Sequence, residues 1–333
     1  MFLNSKAFLK YSFYLFILLI SFSSCERDSS INNTEVNMLP PAIPFSLQVA
    51  SAHDGRIVII WRPNLEKDIK GYNIYRSVND SSSFRKISFT EDNVFLDDSL
   101  SYDSTYYYRV SAVDLQGRES SKAHWVSARP ENVNPPQVPY GLEINARNWI
   151  DSLSVFLKWQ PNSEGDIAGY NIYRSETPDF TPDKSNLAGF SSTTSFRDTR
   201  ALKLYTPYYY RISAIDKGGM VSPTAEQVSD LILGIPDIVF PGNSSLVNYF
   251  DDFIIRTISV PARYRIIVQT NQYFGEIWNQ DFYSAKTNDT VHVRFNASYI
   301  YTNSTYYWRV ITFSGDNSEA NSISQLHNFT IRP

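Results

Sequence analysis

The decapeptide DIKGYNIYRS at 68–77 returns as DIAGYNIYRS at 166–175, with one substitution, 98 residues further along. A catalytic pocket is needed once, whereas a repeated structural module carries its core pattern in every copy. The correspondence extends both ways. Upstream, Trp61-Arg-Pro-Asn matches Trp159-Gln-Pro-Asn, and downstream TYYYRVSAVD at 105–114 matches TPYYYRISAID at 206–216. The offset grows from 98 at the tryptophans to 102 at the tyrosines, so the insertion lies between them, in SETPDFTPDKSNLAGF, where a loop absorbs it at little entropic cost.

Each copy consists of short alternating apolar runs separated by Asn, Asp, Ser, Gly and Pro clusters about ten residues apart, the rhythm of a β-sandwich. An aromatic content of 15%, with 23 Tyr and 21 Phe, favours pleated, half-buried surfaces. The period of two places Tyr106, Tyr108, Val110 and Ala112 on one face, read as inward, and Tyr107, Arg109, Ser111 and Val113 on the other. Trp61, at the end of RIVIIW, is expected to fill the centre between two sheets, with Tyr72 and Ile74 covering it and Asn73 and Tyr75 facing out. Trp159 and Tyr170 take the same places in the second copy.

These segments resemble fibronectin type III domains, in the form common on bacterial envelope proteins. The matching residues are Trp61 and Trp159 on the second strand, GYNIYRS on the third, Phe95-Leu-Asp and Phe196-Arg-Asp near the fifth, and the tyrosine-rich sixth strand followed by Asp-x-x-Gly. The resemblance covers 41–130 and 137–233, and it implies that Tyr106 and Tyr208 are corner tyrosines whose hydroxyls bond backbone upstream. It carries a fold and no activity.

Residues 237–333 keep part of the pattern. TYYWRV at 305–310 repeats TYYYRV at 105–110, YRIIVQT stands in for GYNIYRS, and HNFTIRP closes the segment as a last strand. The second-strand tryptophan is missing, so Phe253 or Ile255 has to fill its place, and Trp308 marks the core by analogy with Tyr108. The fold class is therefore all-β, with three tandem immunoglobulin-like sandwiches, the third diverged. The junctions ARPENVNPPQVP at 128–139 and GIPDIVFPGN at 234–243 are expected to be extended and stiff.

At the other end, Lys6 and Lys10 precede the apolar run YSFYLFILLISFSS, which is too short to span a bilayer as a helix and suits a signal-peptide core over 1–24. The chain's single cysteine, Cys25, follows at once. This resembles the lipobox of bacterial lipoproteins, with Phe22 where Leu is usual, and it implies cleavage before Cys25 and lipidation there. Residues 25–40 read as a polar tether. The implied location is the bacterial cell envelope, with the protein held to a membrane by its N-terminal lipid.

A formal charge of −4 without clustered Lys and Arg argues against a nucleic-acid partner. His53, His124, His292 and His327 stand singly, with no HExxH and no cysteine pair, so neither a metal nor a cofactor is predicted. The doublets Asp97-Asp98 and Asp251-Asp252 read as turn residues, since neighbours on a strand point to opposite faces. The remaining signal is aromatic. Trp125, Trp149 and Trp278 lie outside the assigned cores, and Trp149, in the polar stretch NARNWIDS, is expected at a loop tip, where an indole can stack on a sugar or anchor a protein. The sequence thus favours a non-catalytic envelope lipoprotein whose modules space, adhere or bind a protein or glycan. Two alternatives remain open: a carbohydrate-binding accessory lipoprotein of a glycan uptake or hydrolase system, and an enzyme whose site lies in the third segment.

Overall fold

The computed structural model describes residues 39–149, 152–298, 300–315 and 317–333; the leader and Cys25 lie outside the described residues. In the first module β1 (Phe45–His53), β2 (Arg56–Arg62) and β5 (Val94–Asp97) form one sheet, in the order β1-β2-β5. Facing it are β3 (Ile69–Val78), β4 (Arg85–Thr90), β6 (Tyr106–Asp114) and β7 (Val126–Ala128), in the order β4-β3-β6-β7. The second module repeats this with β8 (Glu143–Trp149), β9 (Ser152–Lys158) and β12 (Ser195–Asp198) against β10 (Ile167–Ser175), β11 (Leu187–Ser191), β13 (Pro207–Asp216) and β14 (Val228–Leu231). Three strands packed on four make each an immunoglobulin-like sandwich.

The repeated decapeptide is β3 in one module and β10 in the other. A Cβ on Gly71 would lie 2.5 Å from both the Phe89 ring and the Thr90 carbonyl oxygen of β4, and one on Gly169 would meet Phe190 and Ser191 in the same way. Close strand approach therefore demands glycine there. Tyr72 packs edge-on against Trp61 with ring centroids 5.2 Å apart, and Tyr170 meets Trp159 at 5.1 Å. The final arginine has a partner as well: Arg76 donates to both oxygens of Asp97 at 2.9 Å, and Tyr108 donates to the same carboxylate at 2.6 Å. Arg174, Asp198 and Tyr210 repeat this set. A buried charge is tolerable when paired and hydrogen-bonded in this way. Burial and the neighbouring carboxylates push both tyrosine hydroxyls far up.

Asn73 and Tyr75 do not face solvent. They are 5% and 9% exposed, because the segment after β6 folds back over the outer face of the sheet. There Tyr75 and Ser111 both donate to Glu119, while the Lys122 ammonium sits 4.0 Å from the Tyr75 ring centroid. Strand alternation assigns each side chain a face but is blind to a later segment covering that face. The corner bonds are regular: the hydroxyls of Tyr106 and Tyr208 accept from the backbone N–H groups of Ser101 and Lys203, and Tyr306 does the same for Tyr301.

In the third module β15 (Asp237–Phe240), β17 (Asp252–Arg256) and β20 (Thr290–Arg294) form the smaller sheet. It faces β18 (Ala262–Gln269), β19 (Glu276–Ser284), β21 (Thr305–Phe313) and β23 (His327–Ile331), with β16 (Ser245–Val247) parallel to β23 and β22 (Ser322–Ile323) beside β21. Phe253 fills the centre left by the missing tryptophan, its ring 4.4 Å from that of Trp308 and stacked on Trp278. Phe253, Ile255 and Trp308 are all fully buried.

The two junctions differ. Between the first and second modules the linker is tied down by side chains. Asp54 accepts from the backbone N–H groups of Val133 and Asn134 at 2.9 Å, and Tyr102 donates to Asp166 at 2.5 Å. Burial raises the Asp54 carboxyl, but the bonds from Asn134 and Val133 outweigh it and bring the pKa from 3.8 down to about 2. A depressed folded-state pKa means that the Asp54 contribution is fully present above the unfolded value and is lost as pH falls through the folded one. Amide exchange at Val133 and Asn134 is therefore expected to accelerate as pH falls from 3.8 to about 2, beyond the intrinsic pH dependence. Asp54→Ala should show no such step, and a step persisting in that variant would refute the assignment.

The second junction is more than an extended linker. Ser322 of β22 pairs in parallel with Asn148 of β8, so one nine-stranded sheet runs through both modules. Asn321, fully buried, donates to the Leu231 carbonyl at 2.7 Å and accepts from the Leu233 N–H at 2.8 Å.

Candidate functional site

The duplicated core residues offer no surface to a ligand. Trp61, Tyr72, Tyr106, Trp159, Tyr170, Tyr208 and Trp308 are each at most 6% exposed and belong to the three hydrophobic cores. Among the described residues no three His, Cys, Asp or Glu side chains gather in a way that could hold a metal ion.

Trp149 is placed differently from the loop tip expected of it. It is the last residue of β8, paired with Ser152 across the β8–β9 hairpin, and its indole N–H donates to the Ala320 carbonyl at 3.2 Å. The residue is 39% exposed. The bond runs from the second module to the third, so the ring has a fixed direction that a free loop would not give it.

The register of β8, β9 and β12 defines what surrounds it. Arg147 lies opposite Ser154, Asn145 opposite Phe156, and Phe156 in turn opposite Arg197 on the edge strand. The Arg147 guanidinium is sandwiched between the Trp149 ring at 4.5 Å and the Phe156 ring at 4.7 Å. Two further bonds hold it, to Asn145 Oδ1 at 2.5 Å and to Glu319 Oε2 at 2.8 Å. Cation–π stacking with paired charge fixes all three side chains. Trp149, Arg147, Phe156, Ser152, Ser154 and Arg197 line an open groove of about 340 Å³. Among the described residues, the only bond from the Arg197 side chain is to the Ser152 hydroxyl, at 3.3 Å.

Beside it, Asn145, Lys158 and Glu319 line a smaller hollow, of about 80 Å³. Asn145 is 4% exposed and its Nδ2 has no acceptor. A larger cleft of about 600 Å³ opens between Leu142, Pro207, Pro261 and Gly315, with Asp230 in its wall. Burial pushes the Asp230 carboxyl up, against bonds from Ala146 N–H, Ser314, Leu231 N–H and Asn317. Those four donors already occupy its oxygens, so this acid serves the junction. The groove, by contrast, keeps donors to spare.

A second exposed group crowns the third module. Tyr249 follows β16, Tyr273 and Phe274 form the turn between β18 and β19, and Tyr301 precedes β21; they are 61–80% exposed. The pairings Val247 with Ile331, Thr305 with Thr330 and Gln269 with Tyr307 bring all three loops to one end, opposite the end that meets the second module. Asn271 Oδ1 accepts from the Tyr273 and Phe274 N–H groups and gives that turn a defined shape.

Comparison with known proteins finds partial matches. No family model matches the chain. It is similar to exoglucanase B of Cellulomonas fimi, 26% identical over 201 residues, which is 57% of this chain and 17% of the relative. An amylopullulanase of Thermoanaerobacter thermohydrosulfuricus is 28% identical over 142 residues, covering 40% of this chain and 9% of that protein. An exo beta-1,2-glucooligosaccharide sophorohydrolase of Parabacteroides distasonis is 32% identical over 103 residues, 28% of this chain and 14% of that protein. The chain thus spans less than a fifth of each relative. Among solved structures, the FN1–FN3 domains of chicken CNTN1 align over 88% of this chain and 100% of that one, at 12% identity and a TM-score of 0.36.

Sequence reasoning singled out Trp149 but missed Arg147, Phe156 and Arg197. Their alternation along ARNW, SVFLK and SFRD marks an outward stripe, but nothing in it signals which stripe stays open.

Proposed function

We propose that the chain is a non-catalytic accessory protein of a carbohydrate-processing system, held at the bacterial envelope through a lipid on Cys25, and that it binds glycans along the outer face of the second module. The observation that carries this reading is the fixed, part-exposed indole of Trp149 beside the hydroxyls of Ser152 and Ser154 and the guanidinium of Arg197. An aromatic face and convergent polar groups on rigid strands are what a sugar ring needs from a surface. The likeness of between 28% and 57% of this chain to parts of an exoglucanase, an amylopullulanase and a glucooligosaccharide sophorohydrolase supports the same system.

Binding of the full chain to a glycan array tests it. Trp149→Ala is expected to weaken retention by roughly 30-fold, the cost of removing an aromatic hot spot, while Trp149→Phe keeps part of it. Fatty-acid labelling should be lost in Cys25→Ala. Unchanged retention in Trp149→Ala would sink the groove assignment. If retention instead disappeared on changing Tyr273 and Phe274 to serine, the contact would pass to the aromatic end of the third module.

A further inference from the structure

We infer that the groove selects acidic glycans, chains bearing sugar carboxylates or sulfate esters, over neutral ones; this rests on the glycan-binding reading above. Among the described residues, the six lining side chains comprise two guanidiniums, two hydroxyls and two aromatic rings, with no carboxylate. A neutral sugar presents hydroxyls that must donate as well as accept. Among the described lining residues only Ser152 and the buried Ser154 have hydroxyl oxygens to receive those protons, so donors would be left unpaired on desolvation. A ligand rich in acceptors suits the lining better.

The charges agree with that. Arg147 is already matched by Glu319 at 2.8 Å, whereas among the described residues Arg197 has no carboxylate within ion-pair distance and bonds only the Ser152 hydroxyl. Its planar fork fits a carboxylate or sulfate through two parallel bonds. Next to the groove, the buried Asn145 Nδ2 lacks an acceptor, whereas Lys158 is already paired with Glu143 at 3.0 Å and Glu319 at 3.7 Å. The chain carries a formal charge of −4, so this local excess of donors does not follow from a basic composition. With Trp149 fixed at the end of the groove, a pyranose ring can lie against the exposed indole while its anionic group reaches Arg197.

Calorimetric titration of the full chain with four probes tests the inference: tetragalacturonate, a sulfated galactan tetrasaccharide free of carboxylates, cellotetraose and inorganic sulfate. At least one acidic tetrasaccharide is expected to bind more tightly than cellotetraose, and which of the two does so tells carboxylate from sulfate recognition. Arg197→Gln, at an exposed position, should weaken that binding roughly 10- to 100-fold, the range for a charged hydrogen bond. Arg197→Lys should recover part of it, and raising salt from about 0.05 M to about 0.5 M should weaken it further. If cellotetraose binds as well as the acidic probes and Arg197→Gln changes nothing, the selectivity is refuted while glycan binding stands. Inorganic sulfate binding as tightly as the tetrasaccharides would equally overturn it, as an anion site indifferent to sugar. Heat from none of the oligosaccharides would remove the underlying reading as well.

Discussion

Trp159→Ala is expected to lower the unfolding free energy by about 3–5 kcal/mol, the cost of deleting a large aromatic from a packed core that only partly collapses around the void. The ring is 4% exposed, and the second module's core closes around it with Tyr170, Tyr208, Tyr210, Val155 and Leu157. Urea unfolding followed by far-UV circular dichroism should show the midpoint of that module fall with little change in slope. Trp159→Phe should cost much less, for a reason visible in the structure: the indole N–H of Trp159 has no acceptor, nor do those of Trp61 and Trp308. What the indole contributes is therefore volume and ring contact. A Phe variant as unstable as the Ala variant would show that the N–H matters after all, and a harmless Ala variant would undo the sandwich-core account.

The second large effect is expected at Asn321. Asn321→Ala leaves the Leu231 carbonyl and the Leu233 N–H without partners in a buried junction, at about 1–3 kcal/mol for each orphaned group. The sheet pairing of Ser322 with Asn148, and the bond from the Asn148 N–H to the Asn321 carbonyl at 2.7 Å, rest on the same corner. Loss of these contacts should uncouple the second and third modules. Differential scanning calorimetry is expected to show one shared transition for them in the native protein and two separate transitions in Asn321→Ala. A single unshifted transition in the variant would mean that Asn321 does not couple the modules. The same change should disturb the groove, since Trp149 bonds the adjacent Ala320 carbonyl and Arg147 bonds the neighbouring Glu319. Glycan affinity and junction stability are thus expected to fall together in this variant, whereas Arg197→Gln should lower affinity alone.

How much of this was legible in the sequence varies from residue to residue. The places of Trp61, Tyr72, Tyr106 and their partners in the second copy follow from a period of two read twice, whereas the repeat narrows the replacement for the missing tryptophan to Phe253 or Ile255 and the structure decides for Phe253. The outward faces were read less well. Asn73 and Tyr75 alternate correctly, but Glu119 and Lys122, more than 40 residues later, cover them. Trp149 stood out as an unassigned indole, yet its surroundings depend on a loop of another module.

The amino-acid order alone determined an all-β chain, its two faithful modules and the third one's altered centre, because strand periodicity and core volume are local properties that repetition makes visible. Only the tertiary structure decided which outer face stays open and how neighbouring modules are joined. Those outcomes turn on contacts such as Arg147 with Glu319, 172 residues apart, and Leu233 with Asn321, 88 apart. No local period encodes a meeting between segments so distant, since it is set by how the finished sandwiches pack against one another.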